Sequence, residues 1–67
     1  MNVNAMLKSV DRVFDDLLQK LDCSDGTDAV LVSHWQPKEQ GFRIQVTRKI
    51  DQVSLTRFVD AMGNVTV

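Results

Sequence analysis

Ser54-Leu55-Thr56-Arg57-Phe58-Val59-Asp60-Ala61-Met62-Gly63 is the stretch on which the architecture turns. Leu55, Phe58, Val59 and Met62 repeat at helical spacing. Asp51 or Ser54 offers an N-cap oxygen, and Gly63 stands where a left-handed C-terminal stop belongs. The spacing predicts a short second helix over 54–62. Beyond it, Val65 and Val67 share one face of Asn64-Val65-Thr66-Val67, which leaves room for a short last strand over 64–67.

Upstream lies Gly41-Phe42-Arg43-Ile44-Gln45-Val46-Thr47-Arg48-Lys49-Ile50. Phe42, Ile44 and Val46 alternate with Arg43, Gln45 and Thr47, so a strand over 42–50 buries one face and wets the other. A second strand, 29–35, is read from Ala29-Val30-Leu31-Val32-Ser33-His34-Trp35, rich in β-branched and apolar residues. The connection through Pro37 and Gly41 is short enough to make the pair an antiparallel hairpin, with Gly41 allowing the return bend.

The N-terminal third carries the strongest periodicity. Val3, Met6, Leu7, Val10, Val13, Phe14, Leu17, Leu18 and Leu21 fall within an arc of roughly 140° at 100° per residue, and no charged residue enters it. This is a long amphipathic helix over 3–22, ended by the turn-forming run Asp22-Cys23-Ser24-Asp25-Gly26-Thr27-Asp28. The expected fold is thus α+β, a small single domain spanning 1–67 in the order α-β-β-α-β.

Size and composition limit what such a chain can do. Sixty-seven residues bury only about 60% of their unfolded surface, too little for a deep substrate pocket beside a separate core. One Cys and one His exclude a disulfide framework and any Cys/His zinc site built within one chain. Cys23 follows a helix C-terminus beside Asp22 and Asp25, where negative charge disfavours the thiolate, so a Cys23–His34 nucleophile–base pair is not expected. Asp25-Gly26 resembles the middle of a calcium loop. Its first, third and twelfth positions would be Leu21, Cys23 and Val32, which cannot supply the required carboxylates. The three glycines lie far apart and form no phosphate-binding loop. No enzyme, cofactor or metal is expected.

No N-terminal signal pattern is visible, and the longest unbroken apolar run, Ala29–Val32, is far short of a membrane span. The expectation is a cytoplasmic protein with no membrane partner. The net charge is −1, with residues 1–35 acidic on balance and 36–67 basic, an asymmetry that can steer a charged partner.

Two surfaces stand out. Val3, Leu7, Val10, Phe14, Leu17 and Leu21 follow heptad-like spacing, and a hairpin covers only part of so wide an apolar arc, so this seam is the expected site of self-association into a homodimer. Trp35 with Arg43, Gln45, Arg48 and Lys49 is the expected surface for another protein. That holds if the Val30/Val32/His34 face of the first strand is the buried one; if Leu31 and Trp35 face inward, Trp35 is core instead. The functional expectation is a small non-catalytic protein-interaction module, a regulator, inhibitor or adaptor of the kind phages and plasmids often encode. The alternative is a nucleic-acid-binding protein that lays the basic ribbon of Arg43, Gln45 and Lys49 against a groove.

Overall fold

The computed structural model describes residues 3–23 and 26–67. One helix, α1 (Val3–Lys20), leads through a 3-10 turn (Gly26–Asp28) into β1 (Ala29–Gln36), β2 (Gly41–Arg48), β3 (Ser54–Asp60) and the two-residue β4 (Val65–Thr66). The strands form one antiparallel sheet in the order β1-β2-β3-β4. The class is α+β as expected, but the described residues form one helix and four strands, and the predicted helix over 54–62 is replaced by β3.

The reason lies in the period. Leu55 and Val59 are four residues apart, and four is both one helical turn and an even number of strand positions. As a strand, the segment turns Leu55, Arg57 and Val59 to one face and Ser54, Thr56, Phe58 and Asp60 to the other. Every position from Ser54 to Asp60 finds a partner on β2, from Ser54 opposite Thr47 to Asp60 opposite Gly41. A lone hairpin leaves that edge of β2 unpaired, and β-branched and aromatic residues suit a pleat. Met62, counted on the helical stripe, is 80% exposed in the following turn.

The residues expected to cap that helix serve hairpin turns instead. Asp51 does accept a backbone N–H two residues on, from Val53 at 3.3 Å, but within the β2–β3 loop. There Gln52 takes a left-handed φ of 62° and its N–H returns to the carbonyl of Arg48 at 2.8 Å. Gly63 has φ +86°, yet it closes the β3–β4 turn, donating to the Asp60 carbonyl at 3.0 Å. At the β1–β2 turn the left-handed residue is Gln40 (φ 53°), not Gly41. Gly41 opens β2, where a Cβ would strike the carbonyl of Val59 and the ring of Phe58. Boundaries shift modestly elsewhere: β1 runs on to Gln36, β2 stops at Arg48, and β4 holds only Val65 and Thr66 of the expected 64–67.

Helix α1 ends two residues earlier than expected, by a Schellman motif. Asp22 adopts φ 57°, its N–H reaches the Gln19 carbonyl at 3.0 Å, and the Cys23 N–H reaches Leu18 at 2.8 Å. This satisfies two of the orphan carbonyls of the last turn. Arg48 takes a third, donating from Nη1 to the Leu21 carbonyl at 2.8 Å, while its Nε and Nη2 hold the Asp51 carboxylate in a fork. Of the predicted turn, Ser24 and Asp25 lie outside the described residues.

The helix lies across β2 and β3. Met6, Val10, Val13, Leu17 and Leu21 bury themselves against Ile44, Val46 and Val59, with Cys23 and Ala29 also buried in the cluster. Leu17, Ile44, Val46 and Val59 are fully enclosed. Phe14, Leu18, Phe42 and Leu55 pack around them, partly buried.

Candidate interaction surface

Because α1 sits over the middle of the sheet, β1 is left largely uncovered. Its register fixes the two faces: Leu31, Ser33 and Trp35 stand opposite Val46, Ile44 and Phe42 and share the helix-bearing face. Val30, Val32 and His34 stand opposite Thr47, Gln45 and Arg43 on the other face. After buried Ala29, every residue from Val30 to Trp35 is exposed, including Leu31 at 38% and Trp35 at 41%. Trp35 thus lies on the inward-facing side and still escapes the core. Its ring meets Phe42 edge-on, with centroids 5.2 Å apart.

The residues expected to form one recognition surface are divided by this geometry. Trp35 and Arg48 share the helix-bearing face but stand near opposite ends of the hairpin. Arg43 and Gln45 lie on the far face, where they border a shallow depression of about 270 Å³ with Val32, His34 and Gln36. Lys49 is exposed in the β2–β3 loop. Arg48 is committed within the chain, and its fork on Asp51 holds the guanidinium pKa above its ordinary value and the Asp51 carboxyl below the usual range. The positive side chains therefore do not gather into one ribbon. Thr47, beyond Gln45 on the Arg43 face, spends its hydroxyl on Ser54 at 2.7 Å.

The heptad-like seam faces the sheet of its own chain. Val10, Leu17 and Leu21 are buried there, Phe14 is half-buried, and Leu7 is 48% exposed. Val3 opens the helix, and its side chain lies outside the described set.

Cys23 is 2% exposed, with Sγ turned toward the carbonyls of Leu21 (3.6 Å) and Asp28 (4.0 Å). His34 lies on an exposed strand face, five positions beyond Ala29 or about 16 Å along β1. The two are not brought together. Among the described residues no three His, Cys, Asp or Glu side chains cluster as a metal site, and no helix is long and apolar enough to cross a membrane.

The surface that composition did not single out is the β1 edge itself. Ala29-Val30-Leu31-Val32-Ser33-His34-Trp35-Gln36 is apolar on both faces, a pattern typical of a strand buried in mid-sheet. Here it occupies an edge, and among the described residues β2 is its only partner strand. Native edges are usually blunted by Lys, Pro, a bulge or brevity. β4, the opposite edge, is two residues long; β1 is eight and carries no Asp, Glu, Lys or Arg.

Comparison of the chain with family models, with curated proteins and with solved structures finds no match.

Proposed function

We propose that this chain is a small non-catalytic protein-interaction module that acts through β1. The observation that carries the reading is an eight-residue edge strand, unblunted and largely uncovered after buried Ala29, with Leu31 and Trp35 exposed on one face and Val30 and Val32 on the other. Such an edge binds by strand addition: main-chain hydrogen bonds supply affinity and alternate side chains supply specificity. A regulator, inhibitor or adaptor of this type needs no pocket, only a surface that orders a partner's backbone.

The second reading, nucleic-acid binding, draws on exposed Arg43 beside Gln45 and on Lys49 in the adjoining loop. It predicts affinity that falls steeply with salt. The separation of Arg48 and Arg57 from that face, both being on the helix side, favours the protein reading.

The test is capture by the tagged full chain, with Val32→Lys as the control bait and a differently tagged copy of the chain among the prey. Retention of a protein that Val32→Lys loses supports the reading. Equal retention by both baits, together with salt-sensitive binding of labelled DNA or RNA that Arg43→Ala with Lys49→Ala abolishes, would replace it with the second.

A further inference from the structure

Strand addition at β1 needs an occupant, and the strand is complementary to itself. We propose that β1 pairs antiparallel with β1 of a second copy, about a two-fold axis normal to the sheet at Ser33, joining two four-stranded sheets into one. This rests on the interaction reading above and names the partner.

Symmetry restricts the register. A two-fold axis normal to the sheet leaves each face unchanged, and directly opposed residues in an antiparallel pair share a face. The axis must therefore stand level with a residue, midway between its two copies, and not level with the link between two residues. Centred on Ser33, it sets Leu31 opposite Trp35 of the other copy on the helix-bearing face, twice over. These are the side chains that α1 leaves 38% and 41% exposed. On the far face it sets Val32 opposite His34 and Val30 opposite Gln36. Centred on Val32 instead, it would place Trp35 opposite Ala29, which is already 4% exposed and has little surface left to cover.

Charge and area agree with a copy as occupant. No acidic or basic residue lies between Ala29 and Gln36 apart from His34, which meets Val32 and not its own counterpart, so self-pairing sets no like charges face to face. The net charge of −1 adds little repulsion between copies. Val30, Leu31, Val32 and Trp35 are 48%, 38%, 47% and 41% exposed along this one strand. The uncovered flank of β1 is the part a copy would remove from water. Both helices then stand on one side of the joined sheet, with Leu31 and Trp35 of each copy lining the floor between them. The interface is isologous and closed, and its second edge, β4, is too short to propagate a fibre.

The test uses the full chain and light scattering behind size exclusion, from micromolar to several hundred micromolar. The expected mass is twice the chain's 7.6 kDa. Ser33→Lys and Ser33→Glu place like charges on the axis, so each alone should run at the single-chain mass with its circular dichroism unchanged. An equimolar mixture should recover the doubled mass. A Ser33→Cys chain should form an intermolecular disulfide in air, since opposed Cα atoms of an antiparallel pair lie about 4.5–5.5 Å apart, within the span a disulfide bridges, whereas Lys8→Cys on the outer helix face should not. This measurement decides the matter if either charged variant fails to fold. A single-chain mass for the wild type at every concentration overturns the pairing. So does a dimer that both charged variants retain, or one lost only in Leu7→Lys. In any of those cases the interaction reading still stands or falls separately, on whether another protein is captured in a way that Val32→Lys abolishes.

Discussion

The Ser9 hydroxyl donates a 2.7 Å hydrogen bond to the carbonyl of Gly63, fifty-four residues away. It fastens the helix to the β3–β4 turn, and the approach leaves little space: a Cβ on Gly63 would lie 2.9 Å from Ser9 Oγ and 3.0 Å from the Ala5 carbonyl. Gly63→Ala therefore meets both a crowded wall and an unfavourable left-handed φ, which alone costs about 1–2 kcal/mol. Ser9→Ala should cost about 1 kcal/mol through the lost hydrogen bond. Combined, the two should destabilise by less than their sum, because removing Oγ relieves part of the crowding. Urea titrations of the four members of this cycle check it; strict additivity would show that the two residues do not share one contact.

Gly41 illustrates a different demand for glycine. Its φ is not left-handed, and what excludes a side chain is the carbonyl of Val59 and the ring of Phe58 lying over it. Gly41→Ala should destabilise the chain by about 1–3 kcal/mol, the usual range for forcing extra volume into a packed site. Gly41→Ala in a Phe58→Leu background should cost less than in the native one, as the ring is part of the obstacle. Thermal melts of the single and double variants measure the difference.

How much of this was legible in the sequence follows from how many periods each segment satisfies. Residues 3–21 present nine apolar positions that fit 3.6 and fail 2, so only one reading survives. Phe42, Ile44 and Val46 fit 2 and fail 3.6. Leu55 and Val59 fit both, and the choice was made by a partner, the free edge of β2, that no local window contains. Asp51 and Gly63 reported real turn chemistry, but an N–H accepted two residues on and a positive φ serve hairpins as readily as helix ends. The candidate surface is less legible still. Alternation along β1 correctly set Leu31, Ser33 and Trp35 apart from Val30, Val32 and His34. Which of these face water depends on where α1 rests, and it rests over β2 and β3.

Acid should weaken the fold through two carboxylates. Asp51 is held below the usual range by the Arg48 fork, and Asp60 by backbone N–H groups, chiefly those of Asn64 and Met62, each 2.9 Å from Oδ1. Each folded-state value lies below the unfolded value of about 3.9. The stability they contribute is therefore present above about pH 4 and is lost as pH falls through the lower folded values. Melting temperatures between pH 2 and 7 should be flat down to about 4 and then drop. Asp51→Asn and Asp60→Asn should each shrink the drop while lowering the plateau, and together they should shrink it further.

The helix seam makes a final contrast that separates core from surface. Leu17 is fully enclosed, whereas Leu7, on the same heptad-like row, is 48% exposed. Leu17→Ala opens a cavity among Ile44, Val46 and Val59 and should cost about 2–5 kcal/mol. A domain this small has little more than that in total, so the variant should be largely unfolded at 25 °C. Leu7→Ala removes a side chain that keeps about half its surface in water and should cost well under half as much. If α1 instead joined two chains along its whole seam, Leu7→Ala would also shift the melting temperature's dependence on protein concentration. With β1 as the joining element that dependence should stay unchanged in Leu7→Ala and vanish in Ser33→Lys, which differential scanning at two concentrations measures directly.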